Sequence, residues 1–185
     1  MKKKAFFFVL MLGILIPHLY SQSLYKGYIF EIGGSYSWVS YTDEIDDMMY
    51  LVNDKRTTFA VEGSFGSELF RKFYIVGSGS CLFDLFRHSN SSLNIIIPFI
   101  GFGVRYYPFN KFLQLGLDNG LTWIDFKSNI NNIKTSDRSF GYGLKASIAI
   151  DFNIDLMPGF NYTISFIDSE IPHNWGIFIK IINKY

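Results

Sequence analysis

The chain has 185 residues and a formal charge of +1, with 49% hydrophobic and 19% aromatic residues, including 20 Phe and 12 Tyr. No Lys/Arg stripe or basic patch runs along it, which excludes a nucleic-acid partner on electrostatic grounds. A length of this kind fits one domain. Removing Lys2, Lys3 and Lys4 leaves 14 basic against 16 acidic residues, a charge of about −2.

Those three lysines open a tripartite leader. MKKK is a positive n-region, residues 5–16 form an apolar stretch, Pro17 breaks it, and Leu19-Tyr20-Ser21 supplies a cleavage site after Ser21. An apolar run of this length suits a secretory signal and is too short to cross a bilayer as a helix, which needs about 20 residues. The expectation is a signal peptide over 1–21 and a mature domain over 22–185. The only cysteine is Cys81, so no internal disulfide forms.

Beyond the leader, apolar and polar residues alternate with period two, the mark of strands with two unlike faces. The first strand puts Tyr28, Phe30, Ile32, Tyr36 and Trp38 on one face and Glu31, Ser35 and Ser37 on the other. The second sets Phe59, Val61, Phe65 and Leu69 against Glu62, Ser64 and Glu68. Residues 73–86 set Phe73, Ile75, Cys81, Phe83 and Leu85 against Ser78, Ser80 and Asp84. In 95–107 one face carries Ile96, Pro98, Ile100, Phe102, Val104 and Tyr106. In 112–124 Leu113, Leu115, Leu117, Leu121 and Trp123 oppose Gln114, Gly116, Asp118 and Gly120. Three more such segments, 139–152, 156–166 and 175–185, complete eight strands.

The connections alternate in length. Residues 70–72, 108–111 and 153–154 are tight turns, whereas 40–56, 87–94, 127–138 and 167–174 are longer polar stretches. Eight antiparallel strands with short turns at one end and long loops at the other predict an all-β, up-and-down transmembrane β-barrel.

Which face points outward is decided by the polar set. Gly, Ser and Ala dominate it, as a crowded narrow lumen requires. Its charges balance: Glu31, Glu62 and Asp118 are expected near mid-height opposite Lys145 and Lys180, with Arg105 lower, near Glu68, Asp151 and Asp155. Unpaired charges in such a lumen would be costly. Aromatics mark the two interfaces of a bilayer: Trp38, Trp123 and Trp175 at the loop end, and Tyr28, Phe73, Tyr106, Phe112, Phe152 and Tyr185 at the turn end.

The leader, the eight alternating strands and the aromatic C-terminus resemble the small outer-membrane β-barrel superfamily of OmpA-like, OmpX-like, OmpW-like and opacity-type barrels. The segment IPFIGFGVRYY at 97–107 is similar to the Pro-aromatic-x-Gly-x-Gly strand common there. WGIFIKIINKY at 175–185 resembles the terminal strand read by the barrel-assembly machinery, with Tyr185 in place of the usual Phe and Asn183 at an otherwise apolar position. The resemblance implies the outer membrane of a diderm bacterium, with termini in the periplasm. It implies as partners the lipid bilayer and the barrel-assembly machinery, and a monomer without a cofactor.

No motif fixes an activity. His88 and His173 are both expected in exposed loops, and Arg87-His88-Ser89-Asn90 is similar to the His-x-Ser-Asn of barrel lipid A deacylases but lacks the spacer. Adjacent residues of an extended segment face opposite sides, so His88 and Ser89 cannot share a site there. The stretch YTDEIDDMMYLVNDKR combines acidic Asp43, Glu44, Asp46 and Asp47 with apolar Met48 to Val52, without calcium-loop spacing. Two readings of 40–56 stand: a short helix or hairpin that extends the barrel rim, and, because contiguous exposed apolar residues mark contact sites, a surface for an extracellular partner. The expectation is therefore a non-enzymatic barrel whose surface loops serve envelope structure or surface interaction. The alternative is a narrow OmpW-like channel or transporter for ions or small hydrophobic compounds.

Overall fold

A computed structural model describes residues 27–41, 55–88, 91–109, 112–130, 133–152, 156–167 and 171–184. The signal-peptide expectation over 1–21, Tyr185, and most of the 40–56 stretch lie outside them. Eight strands follow in order: β1 (Tyr28–Ser40), β2 (Lys55–Phe70), β3 (Phe73–His88), β4 (Ser91–Tyr106), β5 (Leu113–Ile130), β6 (Ile133–Ile150), β7 (Leu156–Ile167) and β8 (His173–Lys184). Each pairs antiparallel with its sequence neighbours, and β1 pairs with β8 to close the barrel. Closure matters because an open sheet edge in hydrocarbon would leave backbone polar groups unsatisfied.

The alternation read from the sequence becomes the inside and outside of the wall. Phe30, Ile32, Tyr36, Val61, Phe65, Ile100, Phe102, Leu117, Leu121, Ile177, Ile179 and Ile181 all point outward and are exposed. A soluble barrel would bury such residues inside; here the apolar band suits a lipid exterior.

The turn end is compact. Arg71 and Lys72 alone separate β2 from β3, and Lys72 adopts φ 71°, the only positive φ among the described non-glycine residues. Its N–H donates to Glu68 Oε1 at 3.0 Å, and its carbonyl accepts from the Tyr107 N–H at 3.0 Å. The register between β2 and β3 shifts between Glu68 and Phe70 to admit this turn.

Pro98 lies within β4, where proline cannot donate to a ladder. The β4–β5 pairing skips from Ile96↔Asp125 to Phe99↔Thr122 around it, and the Thr122 hydroxyl donates to the Pro98 carbonyl at 2.8 Å.

The lumen departs from the expected small and polar face. Two apolar layers fill it. One, towards the turns, comprises Ile29, Tyr74, Val76, Tyr107, Ala149, Met157, Phe178 and Ile182. The other, towards the loops, contains Val39, Tyr41, Leu82, Phe86, Leu93, Ile95, Ile97, Ile124 and Ile167. The reason is space: eight strands enclose an interior just wide enough for side chains, and where no counter-charge is available apolar side chains fill it at lower cost.

The loop end also differs from expectation. Within the stretches 87–94 and 127–138 the described residues are strand rather than loop: β3 runs to His88, β4 starts at Ser91, and β5 and β6 continue to Ile130 and Ile133. Residues 133–138 are exposed on both faces, so the alternation that reveals a half-buried strand is missing there and pairing with β5 holds them, whereas Leu93 of β4 is buried in the loop-end apolar layer.

Candidate functional site

Two places on this frame gather chemistry: the charged mid-lumen and the sheet that projects beyond the loop-end aromatic belt.

In the lumen, Glu31 on β1, Glu62 on β2, Arg105 on β4, Asp118 on β5, Lys145 on β6 and Lys180 on β8 are all buried and converge. Arg105 Nε lies 3.2 Å from Glu31 Oε2, and Arg105 Nη1 lies 2.9 Å from Asp118 Oδ1. Lys180 Nζ bridges Glu31 Oε2 at 3.6 Å and Glu62 Oε1 at 3.2 Å. Lys145 forms an ion pair with Glu62. Glu31 is the hub, because Ser64 Oγ and Gln114 Nε2 also donate to it, each at 2.6 Å. Gln114 Nε2 donates to the Tyr107 hydroxyl at 2.6 Å as well, tying the network to the lower apolar layer.

The partners of Arg105 are a correction. It was expected lower, near Glu68, Asp151 and Asp155, yet its ion pairs run to Glu31 and Asp118. Its length carries the guanidinium away from the turn end, and two glycines leave the room. A Cβ on Gly116 would sit 3.4 Å from Arg105 Cδ, and one on Gly103 would lie 2.7 Å from Asp118 Cγ. Sequence reasoning also missed Gln114 and Ser64 as ligands of Glu31, although both sit at inward positions of their strands.

Three acids meet three bases, so the layer carries no net formal charge. Cavities of about 20 and 10 Å³ flank Lys145 and Glu62, room for a water or two. Such an arrangement ties β1, β2, β4, β5, β6 and β8 together across the lumen.

A second cluster sits where β1 and β2 leave the wall. Asp84 on β3, fully buried, accepts from Tyr41 Oη at 2.9 Å, Thr58 Oγ1 at 2.7 Å, Arg56 Nε at 3.0 Å and Arg56 Nη2 at 2.8 Å. Arg56 Nη2 also donates to the Val39 carbonyl at 2.8 Å and stacks 5.0 Å from the Phe86 ring centre. Tyr41 and Arg56 flank the 42–54 segment, so one carboxylate fixes both of its feet.

Of the expected girdle residues, Trp38, Trp123, Trp175 and Tyr106 lie on the outer wall. Trp38 and Trp175 face each other across the β1–β8 seam, both exposed. Tyr36 meets Trp38 edge-on at 5.0 Å, Tyr162 lies 4.7 Å from Trp175, and Trp123 lies 6.2 Å from Phe140. At the turn end Tyr106 lies 6.2 Å from Phe73. Trp123 is not at the strand end, since β5 continues to Ile130; it marks the belt, above which the sheet projects.

The histidines do not build a site. His88 ends β3 and His173 begins β8, rather than lying in loops. His173 Nδ1 is 2.5 Å from the Tyr162 hydroxyl on the outer wall. Ser89 and Asn90 lie outside the described residues. Among the described residues no three His, Cys, Asp or Glu side chains are grouped to hold a metal.

The projecting sheet is formed by β2 to β6. The β6–β7 pairing stops at Gly141↔Ile167, whereas β5–β6 pairing continues from Thr122↔Gly141 to Ile130↔Ile133. Residues 133–140 thus have a partner on one side and, among the described residues, none on the other. All of 133–138 are exposed, and Arg138 and Asp125 pair across β5 and β6. Lys127 and Lys134 share that outer face, both exposed.

No protein-family model and no curated protein sequence matches the chain. Solved structures do. The crystal structure of Ail, the attachment invasion locus protein of Yersinia pestis, superposes with a TM-score of 0.62 at 13% identity, covering 86% of this chain and 100% of that one. The same protein in complex with the heparin analogue sucrose octasulfate gives 0.64 at 14% identity with the same coverage. The N-terminal β-barrel domain of Pseudomonas aeruginosa OprF gives 0.48 at 11% identity, covering 88% and 100%. The likeness is one of fold: the chain is a closed eight-stranded antiparallel barrel of the small outer-membrane kind.

Proposed function

We propose that this chain is a non-enzymatic outer-membrane protein that acts at the cell surface, presenting its projecting sheet and the 40–56 segment for surface interaction or envelope structure. The observation that carries this reading is the β2–β6 sheet standing beyond the aromatic belt, with one side of β6 open among the described residues. A protein that served only to span the membrane would have no use for strands continued some seven residues past its interface.

The narrow-channel alternative finds no support in the lumen. Two apolar layers and a neutral ion-pair network occupy it, and the cavities beside Lys145 and Glu62 are water-sized. On this reading the apolar wall sits in the lipid bilayer as a monomer, placed there by the barrel-assembly machinery. Both termini and the short turns face the periplasm, and residues 1–21 direct export and are removed.

Cysteine labelling on intact cells tests the reading. In a Cys81→Ala background, Ser136→Cys in the projecting sheet should react with a membrane-impermeant maleimide, and Arg71→Cys at the short turn should react only after the outer membrane is opened. The reverse pattern, or a protein absent from the outer-membrane fraction, would overturn it.

A further inference from the structure

One residue interrupts the apolar band of the outer wall. Along β5 the outward positions read Leu115, Leu117, Asn119, Leu121 and Trp123, so a carboxamide stands in a run of apolar side chains. Asn119 is exposed there, beside Phe102 of β4 and Leu144 of β6, which are exposed as well. It lies four residues from Trp123. That is about 13 Å along the strand, which a tilt of about 35–45° turns into roughly 10 Å below the belt. The apolar band of such a barrel is about 25 Å tall, so the amide sits near its middle.

Its own barrel does not satisfy it. Among the described residues the Asn119 side chain has no hydrogen-bond partner. Tyr142, paired with Leu121 one step nearer the belt, makes no hydrogen bond to it. Hydrocarbon holds no water to take its place, and a side chain this short cannot reach an interface as Lys and Arg do. A bare amide at this depth is therefore costly. An acyl chain, the neighbour that lipid supplies here, offers it no donor or acceptor.

A second copy of the chain answers the shortage by identity. A carboxamide carries two N–H donors and an acceptor oxygen, so two of them face to face exchange hydrogen bonds in both directions. Copies inserted the same way in one membrane are related by an axis along its normal, and in such an isologous contact the residue nearest the axis meets itself. Strands tilted by about 35–45° then cross at roughly 70–90° and touch over a short stretch. Centred on Asn119, that stretch sets Leu117, Leu121, Phe102 and Leu144 around the amide pair. Any other partner would need a matching polar group at the same depth.

Resting on the outer-membrane reading above, we propose that monomers of this chain associate reversibly in the bilayer into a two-fold dimer centred on Asn119, whose carboxamide bonds that of the partner subunit's Asn119. One polar contact inside a membrane contributes modestly, so the monomer is the form at low surface density and the dimer the form at high density. Pairing sets two projecting sheets side by side, and a surface partner with repeated sites is then held twice.

The test uses the full-length chain in lipid vesicles, with donor or acceptor dyes on Ser136→Cys in a Cys81→Ala background. Energy transfer is followed as the protein-to-lipid ratio rises. Asn119→Leu completes the leucine run, so by urea unfolding and heat-modifiable mobility it should fold at least as well as the parent. It should also raise the ratio for half-maximal transfer about three- to thirtyfold. Asn119→Gln keeps the carboxamide and should hold transfer close to that of the parent, and Tyr142→Phe should leave it unchanged. Transfer in the parent no greater than the chance proximity shown by Asn119→Leu would overturn the dimer. So would a loss of barrel stability in Asn119→Leu with transfer unaltered, which would assign the amide to its own wall. Loss of transfer in Tyr142→Phe equal to that in Asn119→Leu would overturn Asn119 as the centre. None of these results changes the labelling of Ser136→Cys on cells, so the dimer can fail while the surface reading stands.

Discussion

Glu31→Gln is the most informative change in the lumen. The Glu31 carboxylate is fully buried and takes hydrogen bonds from Ser64 and Gln114 and charge from Arg105 and Lys180. Neutralising it leaves three cations facing two anions. Each cation keeps one partner, Arg105 with Asp118, Lys180 and Lys145 with Glu62, so the cost should fall near the lower end of the range for a broken buried pair, about 3 kcal/mol. Restoring the balance with Lys180→Met in the same chain should recover part of that, a coupling of about 1 kcal/mol or more. Reversible urea unfolding in lipid vesicles, followed by tryptophan fluorescence and heat-modifiable gel mobility, measures both. A loss below about 0.5 kcal/mol for Glu31→Gln, the range of an ordinary surface change, would refute the reasoning, since it would mean that water reaches these ions and that the lumen is not filled.

Other changes follow from the same geometry. Arg56→Ala removes two donors to Asp84 and one to Val39. It should cost about 1–3 kcal/mol and speed proteolysis between Tyr41 and Lys55 without altering barrel mobility on cold gels. Gly103→Ala places a methyl group against the Asp118 carboxylate and should cost about 1–3 kcal/mol in urea unfolding. At the β2–β3 turn, Lys72→Val should destabilise by about 1–2 kcal/mol because a β-branched residue resists φ 71°, whereas Lys72→Gly should be neutral or slightly stabilising.

The wall of this protein was legible because membrane strands obey one rule throughout: lipid outside forces an apolar residue at every second position, and Phe30, Val61, Leu117 and Ile179 all follow it. The inside was less legible. A lumen accepts either a charge with its partner or an apolar side chain in its place, so the inward positions of Glu31 and Ile29, one turn of the pleat apart, carry opposite chemistry without any periodic signal. Which ions meet also depends on side-chain reach and strand stagger. Arg105 bypasses the turn-end acids because Gly103 and Gly116 clear its path to Asp118 and Glu31, a fact visible only once β4 and β5 are laid side by side. The projecting sheet was hidden for a different reason. Residues 133–138 are wet on both faces, so they read as loop, and only the pairings Asp125↔Arg138 and Ile130↔Ile133 reveal strands.

The central claim is that the barrel is filled and works at its surface, not as a passage. Single-channel recording of the purified full-length protein in a planar lipid bilayer addresses it most directly. The filled lumen predicts a membrane that stays electrically silent, with at most brief, small openings. A large and steady conductance carried by the unmodified chain would contradict the account.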